Sequence, residues 1–243
     1  MQNTINTNVI CMSEFFNFED TDRDFPFYKQ NPKLSKMAWI VLLASIPIAF
    51  ILYGVIGLGS EYIGSLVFCL TMLIPLLYYS NWDFYLIFRN PSRSEIKLAL
   101  LLFIGYIIYA IAIDAILSAI TQAGEINPEA MGVTAEMTVS LIYSMMGEEL
   151  VKFIPLMFLM RLFYKYSNNR KLSIALSTII VLISFGLLHY TPGSTPLISV
   201  ILIQGFGSLF EVYGYLKTKN LFVPYLSHLL TDGVIFMAML LGF

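Results

Sequence analysis

The chain predicts an all-α fold, a polytopic transmembrane helical bundle of about seven spans whose polar residues gather on the fourth, fifth and seventh. Three observations lead there. Of the 243 residues, 58% are hydrophobic and only 12% charged, with a mean hydropathy of +0.75, too apolar for an ordinary water-soluble domain. Apolar runs recur at roughly the 20-residue length that crosses a bilayer. Apart from Lys152 inside the fourth run, Lys and Arg gather around alternate connections between those runs.

Residues 1–36 are acidic and then basic, and read as a retained, partly disordered tail; residues 37–243 form one membrane domain with no internal repeat. Spans are expected at 37–58, 63–79, 96–120, 137–164, 173–190, 196–216 and 221–243. Arg23, Lys29, Lys33 and Lys36 precede the first; Arg89, Arg93 and Lys97 follow the second. Arg161, Lys165, Arg170 and Lys171 follow the fourth, and Lys217 and Lys219 the sixth. The alternate connections hold no Lys or Arg, which places the N-terminus in the cytoplasm and the C-terminus outside.

A formal net charge of -2 without a broad basic patch argues against a nucleic-acid partner. Cys11 and Cys69 match no disulfide framework and no zinc spacing. Trp39, Tyr78, Tyr79, Trp82 and Tyr190 read as interfacial anchors, and Asp114 in the third span as an interhelical hydrogen-bonding residue.

The only two histidines, His189 and His228, and a Glu148-Glu149 pair lie in three separate apolar spans. Ionisable side chains are expensive in hydrocarbon and mark functional sites. A buried active site formed by the fourth, fifth and seventh spans is therefore expected. Adjacent helical residues diverge by ~100°, so one glutamate faces the site and the other a supporting helix. Lys152 lies four residues after Glu148 and three after Glu149, within reach of either. Phe185 and His189, at four-residue spacing, share a face on which the ring can wall the site. The same spacing lets Asp232 orient or charge-stabilise His228. Glu211 on the sixth span is either a supporting carboxylate or a partner of Lys217.

These fragments, in this order, resemble the CPBP family of intramembrane proteases, which includes CAAX prenyl endopeptidases and bacterial Abi-type proteins. The resemblance covers about 147–234, including the Gly214-Tyr215-Leu216 to Pro224 approach to His228. It implies that Glu148 activates a water, supported by Glu149. His189 would position water or substrate, and His228 with Asp232 would stabilise the oxyanion. Lys152 and Phe185 support the site. Phe153 stands where the family carries Arg, and Asp232 where it usually has Asn. More distantly, Lys152 and Asp232 are similar to the PrsW proteases, which have Glu in place of His189.

The resulting expectation is an endopeptidase needing no cofactor and acting on membrane-associated peptides or protein termini within a lipid bilayer, the bacterial plasma membrane. Competing readings are a zinc hydrolase using Glu148, His189 and His228, a proton-coupled transporter, and a non-catalytic scaffold or immunity protein. Straight helices leave one difficulty. At 1.5 Å per residue, Glu148 lies ~25 Å from the level of Lys165 and His189 ~27 Å from Lys171, but His228 only ~13 Å from Lys219. Tilt, a bent fourth helix or a re-entrant approach at Pro224 would be needed to bring them together.

Overall fold

Seven helices account for the bundle in the computed structural model, which describes residues 14–20, 22–29, 32–121, 132–193 and 196–242. They are α1 (Lys36–Ile56), α2 (Glu61–Tyr79), α3 (Arg93–Thr121), α4 (Ala135–Ser167), α5 (Arg170–Leu188), a broken α6 (Leu197–Thr218) and α7 (Phe222–Leu241). No strand occurs among the described residues. Cys11 and most of the connection before α4 lie outside them.

Hydroxyl and amide side chains start the helices where the sequence turns apolar. Ser35 Oγ accepts from Ala38 N, Ser60 Oγ from Ile63 N, Thr134 Oγ1 from Met137 N and Asn169 Oδ1 from Leu172 N. Pro47, Pro75 and Pro155 lie inside α1, α2 and α4, as membrane helices tolerate when neighbours cover the freed carbonyls. Asn168, with φ of 49°, ends α4 and leads directly into α5.

Six of the seven helices are long and apolar enough to cross a membrane, and the chain is an integral, multi-pass membrane protein. The exception, α4, has the length but carries Glu148, Glu149 and Lys152 at its middle. It tolerates them because it is the central helix, packed against α1, α2, α5 and α7. By contrast α3 touches mainly α6 and α7, and most of its apolar surface faces outward. Asp114 is exposed on that surface rather than set between helices.

The described part of the tail is packed rather than solvated. Phe25, Phe27 and Tyr28 are buried, and the segment caps the basic end of the bundle. Glu19 receives Arg170 at 2.7 Å and Lys219 at 3.3 Å, Asp24 receives Arg170 at 2.6 Å, and Asp20 N donates to Lys217 O. Trp39, expected at the membrane interface, is instead covered by Phe27 and Phe158. The reason is that the aromatic residues of 15–28 need an apolar seat, and the ends of α1, α4 and α5 provide it.

Lys219 and Asn220, in the α6–α7 turn, are buried beneath the tail, whereas Tyr166 at the end of α4 is exposed. His228, six residues into α7, nonetheless meets Glu149 at the middle of the longer α4, so the two helices do not begin and end at matched positions along the bundle.

Below the turn, α6 is interrupted by a π-helical stretch at Val200–Gly205 and a 3₁₀ turn at Phe206–Ser208. Gly205 there meets Gly186 of α5 backbone to backbone. A Cβ on Gly186 would stand 2.8 Å from Val200 O and 3.0 Å from Gly205 Cα. Gly186→Ala is expected to lower stability by about 1–3 kcal/mol, the range for overpacking. Thermal unfolding of detergent-solubilised protein checks this; an unchanged midpoint would contradict the close crossing.

Candidate functional site

The middle of α4 supplies two carboxylates with opposite surroundings. Glu149 is buried, with Oε1 2.6 Å from Lys152 Nζ and 2.7 Å from His228 Nδ1. Glu148, one residue earlier, points into a cavity with its side chain 23% exposed. The divergence expected from helical geometry is realised, and the two carboxylates serve different neighbours.

Lys152 joins the fourth and sixth helices. Its ammonium donates to Glu149 and, at 3.0 Å, to Glu211 Oε2 of α6. It also sits 4.6 Å from the centre of the Phe185 ring. Glu211 thus pairs with Lys152, not with Lys217, whose Nζ donates to Phe18 O at the capped end. Phe153, standing where an arginine would match the family pattern, is buried edge-on against Tyr215, with centroids 5.1 Å apart.

His189 closes the end of α5. Its Nδ1 lies 3.0 Å from Phe185 O, and a carbonyl can only accept, so Nδ1 carries the proton and Nε2 is left facing Glu148 Oε2 at 3.9 Å. The Phe185 ring flanks the imidazole at 4.8 Å between centroids. His228 is held in the same manner by Glu149, leaving its Nε2 3.8 Å from Glu148 Oε2 and 3.8 Å from Asp232 Oδ2.

Glu148, His189, His228 and Asp232 consequently converge on one cavity of about 360 Å³. Ser140 and Ser144 of α4, Gln204 of the π-helical stretch and Tyr106 of α3 add polar groups to its wall. Tyr53 and Glu61, hydrogen-bonded to each other, lie at the α1–α2 end. These lining residues escaped the sequence reading. Gln204 alone carried a signal, as an amide in the middle of an apolar run; Tyr106 is an aromatic ordinary in such a run, and the others lie toward span ends, where polar side chains are common.

The arrangement has a definite chemical capacity. Glu149 and Glu211 together carry one more charge than Lys152 neutralises, and an imidazolium at His228 balances the set. His228 Nε2 is then a donor directed at the cavity, whereas the His189 tautomer with its single proton on Nδ1 offers Nε2 as an acceptor. Between them, Glu148 Oε2 lies 3.9 Å from His189 Nε2 and 3.8 Å from His228 Nε2, beyond direct hydrogen-bond reach of either. Among the described residues, no three His, Cys, Asp or Glu side chains are grouped as ligands for one metal ion.

No family model, curated protein or solved structure matches this chain.

Lys152→Met would leave Glu149 and Glu211 buried with no lysine between them, and a cost of about 3–5 kcal/mol is expected. Adding Glu211→Gln should recover part of that loss, because one of the stranded charges goes with it. Unfolding midpoints of the two single variants and the double variant decide the matter. Strictly additive effects would show that the three groups do not form one network.

Proposed function

We propose that the chain is an intramembrane endopeptidase of the CPBP type that hydrolyses membrane-associated peptides or the termini of membrane proteins. The observation that carries this reading is the placement of Glu148 Oε2 within 3.9 Å of both imidazole Nε2 atoms at the wall of a polar cavity. Those separations exceed a hydrogen bond but are shorter than two of them end to end. A water molecule can therefore touch Glu148 and either histidine together.

In this mechanism Glu148 takes a proton from that water as its oxygen attacks the peptide carbonyl. His189 Nε2 accepts the water's other hydrogen and holds it in line. The negative charge that develops on the carbonyl oxygen meets the Nε2 proton of His228, whose positive charge Glu149 supports. Asp232, an acceptor unless protonated, acts here by stabilising His228 rather than by donating to the oxyanion. As the C–N bond breaks, Glu148 returns its proton to the leaving amine, and all protons are accounted for without a cofactor.

The alternating positive charges orient the protein with its N-terminus in the cytoplasm of a bacterial cell and its C-terminus outside. In that orientation the cavity, which reaches toward the α1–α2 connection, opens on the external side.

Glu148→Gln and His189→Ala should each lower cleavage by about 10²–10⁴-fold, the usual contribution of a positioned acid or base, with little change in membrane abundance. New protein termini in cells making wild type are compared with those in cells making Glu148→Gln at matched abundance. Termini that persist in the variant would remove this mechanism, and identical profiles would favour a scaffold or a transporter. A second expectation concerns metal. Cleavage by purified protein should survive a strong zinc chelator; loss that added zinc restores would establish the metal hydrolase instead.

A further inference from the structure

At the end of the bundle opposite the polar cavity, a groove of about 500 Å³ runs between the start of α1 and the end of α4. Four cationic side chains line it: Lys33 and Lys36 from one side, Arg161 and Lys165 from the other. None of the four forms an ion pair with a carboxylate among the described residues; Glu14, Glu19 and Asp24 at this end are engaged by Lys29, Arg170 and Lys219. Arg161 gives one N–H to Phe27 O at 3.1 Å, which fixes the guanidinium beside the groove.

The rest of the wall is apolar, chiefly Trp39 and Phe158. Trp39 is 6% exposed, and its buried indole N–H has no acceptor among the described residues. The groove also adjoins the first turn of α1, a 21-residue helix with no acidic residue there to offset the positive end of its dipole. A neighbouring hollow of about 340 Å³ shares Arg161 and Lys165 and adds Tyr164, extending the cationic surface.

Unpaired cations gathered at the ends of membrane spans attract acidic lipid headgroups. What distinguishes this cluster is the apolar wall set beside it at the same level. A free phosphate satisfies the cations but leaves the wall wet. A phospholipid satisfies both, with its phosphate among the cations and the start of an acyl chain along the wall.

We propose that this groove binds an anionic phospholipid, its phosphodiester held by Lys36, Arg161 and Lys165 and one acyl chain laid against Trp39 and Phe158. Because the site lies at the far end of the bundle from Glu148, it is independent of the proposed peptidase reading.

The test uses the full chain, purified in a neutral detergent and titrated with short-chain phosphatidylglycerol, short-chain phosphatidylcholine or inorganic phosphate, with bound lipid counted by native mass spectrometry. Wild type should bind phosphatidylglycerol at least tenfold more tightly than phosphatidylcholine, and millimolar phosphate should not displace it. Each cation near a membrane surface is worth roughly a fivefold change, so Lys36→Gln/Lys165→Gln should weaken phosphatidylglycerol by at least tenfold. Arg93→Gln/Lys97→Gln, exposed at the start of α3, should leave it within twofold. Should the first double variant fail to fold, Lys33→Gln/Lys36→Gln, which removes two exposed side chains, takes its place. Equal binding of both lipids, equal loss in the α3 variant, or displacement by phosphate would each overturn the proposal.

Discussion

The structure depends on one buried charge arrangement, in which Lys152 of α4 holds Glu149 of its own helix and Glu211 of α6, while Glu149 holds His228 of α7. Buried charges are costly to desolvate and are tolerated only when paired with good geometry. The arrangement therefore dictates how three helices sit relative to one another: if any drifts, a charge is left alone in a dry interior. It also fixes the imidazole of His228 through Nδ1, so that Nε2 faces the cavity. Stability and the geometry of the polar centre thus rest on the same contacts.

A second charged layer performs the matching task at the capped end. Glu19 and Asp24 of the N-terminal segment take the guanidinium of Arg170, and Glu19 also takes Lys219. Burial pulls the Lys219 ammonium below its ordinary pKa, and Glu19 opposes that shift. With Lys219 held at φ of 49°, the α6–α7 turn is pinned under the tail. Asn220 joins it to the α2–α3 connection, its amide donating to Arg89 O and accepting from Arg89 N. With the turn so fixed, His228, close to the start of its helix, meets Glu149 at the middle of α4 and comes within 3.8 Å of Glu148.

Much of this was legible in the sequence, for identifiable reasons. Span number followed from apolar length, because a bilayer imposes a minimum on every crossing helix. The opposed surroundings of Glu148 and Glu149, the Phe185–His189 contact and the His228–Asp232 proximity followed from helical spacing alone. What crossed between helices was not legible. Glu211 could be matched to Lys217 by sequence distance, yet its partner lies 59 residues away on α4. The tail's composition resembled a solvated segment because its acidic and basic residues are conspicuous; their partners, Arg170 and Lys219, are remote in the chain. Trp39 looked interfacial because nothing local announces that Phe27 will cover it.

Oxygen labelling tests the proposed delivery of water by Glu148 to a peptide carbonyl, whatever the substrate. Membranes containing wild-type protein are incubated in water enriched in oxygen-18, and the released and residual peptides are examined by mass spectrometry. New C-terminal carboxylates carrying one oxygen-18 atom are expected with wild type and not with Glu148→Gln. Labelled termini at equal level in both membranes, or none in either, would contradict it.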